Sequence, residues 1–131
     1  WCYSTGKKFL FNGDDVRVDR KVKNNLRNGK NYTKGTIPTC VWEKNNHTTS
    51  KDYCGWHPTT KNLDILERII RAYSNENDLI LDPFMGSGST AIACKLSNRD
   101  YIGCELDKEY ITKARKRIKS YDRVNTLTEI L

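Results

Sequence analysis

The alternation of apolar and polar positions divides the chain in two. From residue 57 onward the pattern is regular. Leu63, Leu66, Ile69, Ile70 and Tyr73 recur at the spacing of one helical face, which predicts an amphipathic helix over 63–73. Thr59 or Thr60 is placed to cap its start, and Asn75 lies near its end. Leu79-Ile80-Leu81 is a short continuous apolar run, which reads as a strand buried on both faces. Gly86-Ser87-Gly88 turns the chain, and 89–96 follows as a helix with Ala91, Ile92, Ala93 and Leu96 apolar. Asn98 permits a left-handed turn. Residues 101–104 read as a second buried strand. Residues 108–121 read as a basic amphipathic helix, with Tyr110, Ile111, Ala114 and Ile118 on one face. Helix–strand–helix–strand–helix implies an α/β chain whose parallel sheet is covered by helices on both faces, in three layers. Ligands of such sheets bind beyond the carboxyl ends of the strands, which puts 82–89 and 105–108 on one rim.

The first part of the chain is irregular. Asn12-Gly13-Asp14 is a turn signal between short apolar runs, so 8–11 and 16–18 are expected to pair as a hairpin. Residues 19–36 are rich in Lys, Arg, Asn and Gly and read as a long exposed loop. Residues 39–42 read as a short strand and 45–51 as polar loop.

Composition narrows this picture. A chain of 131 residues suffices for one domain with a modest core. With 37% hydrophobic and 10% aromatic residues it is not a disordered chain. No apolar run approaches the length of a membrane span, and no signal-peptide pattern opens the chain. The five cysteines are odd in number and form no Cys-x-x-Cys pair, so free thiols in a reducing cytoplasm are expected. Cys40, His47, Cys54 and His57 are zinc-ligand types, but their spacing is irregular and no metal is expected. The single methionine is Met85 and the chain opens on Trp1, which leads us to expect a fragment with an N-terminal part missing.

The net charge of +7 is uneven: residues 1–56 hold 11 Lys+Arg against 5 Asp+Glu, and the rest hold 12 against 11. A basic segment beside a near-neutral one points to a polyanion partner for the first part, against the plainer reading of a solvated basic surface.

The chemistry concentrates on the rim. Gly86 and Gly88 let the backbone turn and approach a ligand closely, and the next helix aims free N–H groups at the same spot. Glu105 ends the second strand, where a carboxylate can accept ribose hydroxyls. Together these indicate a nucleoside-containing cofactor. No Gly-x-x-x-x-Gly-Lys follows, which excludes a phosphate-binding loop of that type. Ala91 is allowed at the third position of a dinucleotide fingerprint, so that test alone does not exclude NAD. Asp82 decides: an acid just before the loop repels a pyrophosphate but suits the ammonium of a methionine moiety, which favours S-adenosylmethionine.

Three motifs carry a resemblance. Asp82-Pro83-Phe84-x-Gly86-Ser87-Gly88-Ser89-Thr90, Tyr101-Ile102-Gly103-Cys104-Glu105-Leu106-Asp107 and His57-Pro58-Thr59-Thr60-Lys61 resemble the cofactor motifs of the DNA amino-methyltransferases. The third departs from its usual form at Thr60 and Asn62. The motif order resembles the beta class, in which an Asp/Asn/Ser-Pro-Pro-Tyr/Phe/Trp motif and a target-recognition region come first. The three prolines Pro38, Pro58 and Pro83 are nowhere adjacent, so that catalytic motif is not in this chain.

The resemblance implies part of a Rossmann-like S-adenosylmethionine-dependent methyltransferase fold over 57–131, preceded by an irregular basic target-recognition region over 1–56. It implies that Asp82 and Ser87, Gly88 and Ser89 line the methionine end of the cofactor, with Phe84 packed beside it and Glu105 on the ribose. It implies that Thr59 and Lys61 hold the carboxylate end while His57 and Pro58 fix that turn. Lys8, Arg17, Arg20, Lys21, Lys23, Arg27 and Lys30 fall where the family recognises double-stranded DNA. Tyr3, Tyr32, Trp42 and Trp56 are candidates to support a flipped base, with core packing the plainer reading for the tryptophans. The expected activity is transfer of a methyl group to an exocyclic base amine, of adenine before cytosine. The expected setting is the cytoplasm of a bacterium or archaeon, or a phage-encoded enzyme. Expected partners are a catalytic half, in the same or a separate chain, and a second copy as a homodimer. The alternatives are a non-catalytic or split-partner module and a methyltransferase of RNA or small molecules.

Overall fold

The computed structural model describes residues 9–18, 35–39 and 52–128, with 122–128 described by their backbone. Helix α1 spans Leu63–Tyr73, strand β1 Leu79–Asp82, helix α2 Ser89–Leu96, strand β2 Asp100–Gly103 and helix α3 Lys108–Thr128. The strands pair in parallel, with Leu79 opposite Asp100 and Asp82 opposite Gly103. These elements lie where the apolar pattern put them, with β1 one residue longer and β2 one residue earlier than expected. Helix α3 runs seven residues beyond the expected end.

Helix α2 explains the packing. Ala91, Ile92, Ala93 and Cys94 are consecutive and fully buried, and a helical turn that is apolar on every side must sit inside. It packs between two apolar groups: Leu63 and Ile118 with Ala91 and Ile92 on one side, Ile70 with Ala93 and Cys94 on the other. Tyr101 of β2 packs against both groups, and Ile80 of β1 against the second. Burial pushes the Cys94 thiol up to about 11, with Arg99 opposing and Asp82 adding to the shift.

The sheet itself corrects two expectations. Leu79, Leu81 and Ile102, on the face opposite Ile80 and Tyr101, are 60%, 64% and 50% exposed. Strands β1 and β2 are therefore buried on one face only, and the described residues form two layers rather than three. An alternating strand points successive side chains to opposite faces, so an apolar run shows that both faces want cover without supplying it.

The ends of α1 are also capped differently from the expectation. Asn62, not Thr59 or Thr60, is the N-cap, its Oδ1 accepting from the Ile65 N–H. Asp52 accepts from the Leu63 N–H at 3.2 Å. At the other end, Asn12 donates from its side chain to the Ser74 and Arg71 carbonyls at 2.8 and 3.2 Å, and from its N–H to the Ala72 carbonyl. Buried Arg99 donates to Ser74 Oγ and to the Ser74 and Ser97 carbonyls. These donors meet carbonyls that a helix end leaves unpaired, and a cation there suits the helix dipole.

This capping role of Asn12 is also why the expected hairpin does not form. Gly13–Val16 is a 3₁₀ turn folded against α1, and Val18 bridges to Thr36 instead. A two-residue-turn reading weighs only local sequence, whereas the helix end offered Asn12 three acceptors. Residues 19–34 and 40–51 lie outside the described residues, with all but the last two residues of the expected 19–36 loop, most of the 39–42 strand and the polar 45–51 segment. No helix of the described residues is long and apolar enough to cross a membrane.

Candidate functional site

The two loops expected on one rim are joined there. Met85 N–H donates to the Cys104 carbonyl at 2.8 Å, and Cys104 N–H to the Asp82 carbonyl at 2.9 Å. Glu105 completes the junction. Its Oε2 accepts from the Gly86 N–H at 2.9 Å, and its Oε1 from the Leu106 and Asp107 N–H groups at 2.8 and 3.0 Å. The Asp107 amide, and after it those of Gly86 and Leu106, hold the Glu105 carboxyl below the usual carboxylate range, against desolvation and the charge of Asp107. It is a fixed anion. Three of its roughly four acceptor positions are taken by the backbone, which leaves one for a ligand.

Asp82 accepts from the Phe84 N–H through Oδ1 at 2.9 Å, the local bond that starts the turn. Gly86 and Gly88 have φ of +51° and +78°, a region that glycine enters without steric cost. At both, close neighbours fill the place of a side chain. A Cβ on Gly86 would lie 2.7 Å from His57 Nε2, and one on Gly88 3.0 Å from Ile118 Cδ1. Phe84 and Leu106 stand out from the rim, 87% and 99% exposed.

His57 thus reaches the glycine loop from another part of the chain. Its ring lies 4.8 Å from Tyr110 and 6.0 Å from Trp56, and Lys113 sits over Trp56. Its Nδ1 accepts from the Thr59 N–H at 3.3 Å. Thr60 is buried, donating to the His57 carbonyl and contacting Cys54 Sγ. The two departures of this motif therefore have local explanations: Thr60 braces the turn and Asn62 caps α1. Thr59 and Lys61 are exposed beside it.

Of the expected site residues, the structure brings His57, Asp82, Gly86, Gly88 and Glu105 together at one rim. Ser87 and Ser89 are buried at the start of α2, their hydroxyls 3.1 Å apart and both within reach of Arg117. A cleft of about 500 Å³ opens below Glu105, lined by Met85, Gly86, Gly103, Ile111, Arg115 and Ile118 among others. A second cleft of about 550 Å³ lies at the other end of the sheet, around Asn12, Arg71, Asn75 and Arg99, away from the rim motifs.

Arg17 is paired with Asp14 at 2.6 Å and donates to the Gly35 carbonyl. Lys8, Arg20, Lys21, Lys23, Arg27 and Lys30 lie outside the described residues, as do Tyr3, Tyr32 and Trp42. Cys40 and His47 lie outside too, and no group of three metal-ligating side chains occurs among the described residues.

Sequence reasoning gave the site neither Tyr110, read only as an apolar position of the last helix, nor Arg117. Arg117 is one cation among many on α3, and only folding shows which one turns inward.

Comparison with known proteins gives the family. A family profile described as DNA methylase, covering N6 and N4 methyltransferases, matches residues 1–116. The type II methyltransferase M.HpaI of Haemophilus parainfluenzae is 43% identical over 115 residues, which cover 87% of this chain and 35% of that protein. The type II methyltransferase M1.MboII of Moraxella bovis is 40% identical over 129 residues, covering 86% and 50%. The DNA adenine methyltransferase YhdJ of Escherichia coli is 35% identical over 119 residues, covering 86% and 40%. The chain thus spans half or less of the length of these relatives. Among solved structures, that of the M1.HpyAVI–SAM complex is 52% identical, covering 47% of this chain and 32% of that one, with a TM-score of 0.45.

Proposed function

The chain belongs to the N6/N4 DNA methylase family, and on that premise we propose that residues 57–131 form the S-adenosylmethionine-binding part of a DNA amino-methyltransferase and residues 1–56 its target-recognition region. One observation carries the reading: the hydrogen bond from Gly86 N–H to Glu105, which couples the two rim motifs on which His57 also converges.

The residues fit the cofactor. Asp82 offers a carboxylate to its ammonium. Glu105 keeps one acceptor position for a ribose hydroxyl, and a second hydroxyl would have to replace one of the three backbone donors. Phe84 has an exposed apolar side chain at the rim, available to pack beside the ligand. Lys61 is an exposed cation for its carboxylate, next to the Thr59 backbone. Ser87, Gly88 and Ser89 hold the loop shape, and His57 and Pro58 set the turn. When bound, the cofactor supplies the sulfonium methyl group. The base amine has to leave the DNA stack to reach it, and the basic residues of 1–56, among them Lys8, Arg20, Lys21, Lys23, Arg27 and Lys30, hold the DNA by its phosphates. The target is an exocyclic amine, with adenine preferred.

The bare face of β1 and β2 bears on the partner. Leu79, Leu81 and Ile102 make an apolar surface, and we assign its cover to a catalytic half bearing the Pro-Pro motif, in preference to a second copy. The chain alone then binds cofactor without methylating DNA. Calorimetric titration with S-adenosylhomocysteine should give one site per chain, weakened in D82N and E105A. Labelled cofactor with mixed-sequence DNA should leave the DNA unlabelled. No binding in the calorimeter refutes the cofactor reading, and label transfer refutes the division of labour.

A further inference from the structure

Arg117 joins three separate stretches of chain. Its Nη1 donates to the Ser87 carbonyl and to Ser89 Oγ, both at 3.0 Å, with a longer contact to Ser87 Oγ. Its Nη2 donates to the Asp52 carbonyl at 2.9 Å. One residue further along α3, Ile118 lies against Gly88 with Ala114 beside it. The first turn of α2, the turn that ends the glycine loop, is therefore gripped from below by α3.

The charge makes this grip unusual. A helix N-terminus carries the positive end of the dipole and favours anions. A guanidinium there opposes it, so helix stability does not explain its presence. Its geometry does: the planar fork reaches acceptors on two segments at once, which an ammonium cannot match.

We propose that Arg117 is a positioning residue of the cofactor site: it holds Ser87, Gly88 and Ser89 in the conformation that receives the amino-acid end of the ligand. This rests on the cofactor reading above. Arg117 acts through the loop and touches no part of the ligand. It therefore matters for the end of the ligand that meets the loop and not for the nucleoside end, which Glu105 holds.

The test compares two ligands on the whole chain. S-adenosylhomocysteine has both ends, and 5′-methylthioadenosine has the nucleoside end alone. R117A should weaken the first by about tenfold, the size of one or two lost hydrogen bonds, and the second by less than about twofold. R117K should fall between, since lysine keeps the charge and loses the fork. Hydrogen exchange gives a ligand-free readout. In R117K the amides of 87–90 should exchange faster while those of 69–73, at the far end of α1 from Asp52, stay unchanged, and this serves even if R117A fails to fold. Equal losses for the two ligands, or unchanged exchange at 87–90, would overturn the proposal. A wild-type chain that binds neither ligand overturns the cofactor reading and the proposal with it. One that binds both, with the variants unaffected, overturns the role of Arg117 alone.

Discussion

Replacing Gly86 with alanine probes the packing on which the site depends. Gly86 has φ of +51°, and an L side chain in the left-handed region costs about 1–2 kcal/mol. The new Cβ would lie 2.7 Å from His57 Nε2 and 3.0 Å from its Cε1. The imidazole cannot easily step aside, because Tyr110 lies 4.8 Å from it and the Thr59 N–H binds its Nδ1. Opening such a contact by several tenths of an ångström costs about 1–3 kcal/mol, as overpacking does elsewhere. Alanine also restricts the unfolded chain, which returns about 0.4–1 kcal/mol. The net expectation is a loss of about 2–4 kcal/mol. Urea unfolding followed by circular dichroism measures it, as a lower midpoint at unchanged slope. Gly103→Ala is the control. There the new Cβ would overlap Met85 Cε and lie 3.0 Å from its Cγ; that side chain is flexible and swings away, so the cost should stay below about 1.5 kcal/mol. A double-mutant cycle between G86A and H57A isolates the clash and should show a coupling of about 1–3 kcal/mol. A G86A variant within about 0.5 kcal/mol of wild type, or a cycle that is additive, would refute the reasoning.

The remaining expectations concern Glu105 and Asn12. The folded-state pKa of Glu105 is lowered from 4.5, so its contribution to stability is complete above that value and is lost as pH falls through the lowered one. E105Q should therefore be less stable than wild type at neutral pH, with the gap closing only below pH 4.5. A gap of constant size from pH 7 to pH 3 would contradict this. Asn12→Ala removes the side-chain donors to the Ser74 and Arg71 carbonyls and should cost about 1–2 kcal/mol by the same urea assay. An unchanged midpoint would mean that water, together with Arg99 at the Ser74 carbonyl, serves those carbonyls equally well.

Much of the chain was legible because its signals are local. The helices over 63–73 and 89–96 follow from a spacing that needs no partner to be read. The rim motifs were legible for a related reason. A tight turn calls for glycine at single positions such as Gly86, and the acceptor that ends the second strand is one residue, Glu105. The Asn12-Gly13 turn misled because its outcome was settled by the end of α1, which is distant in sequence. Capping by Asn62 was missed because Thr59 and Thr60 are equally good caps by composition, and Thr60 is instead occupied with His57 and Cys54.

By itself, the sequence determined the order of elements, the α/β class and which residues fall on the rim. Tertiary structure alone decided how those residues are held. It brought His57 onto Gly86, turned Arg117 into the first turn of α2 and spent three of the Glu105 acceptor positions on backbone amides. It also left Leu79, Leu81 and Ile102 bare. The physical reason is one of range. Periodicity and turn chemistry act within a few residues, whereas the pairing of buried polar groups and the covering of a sheet face depend on which distant segments meet.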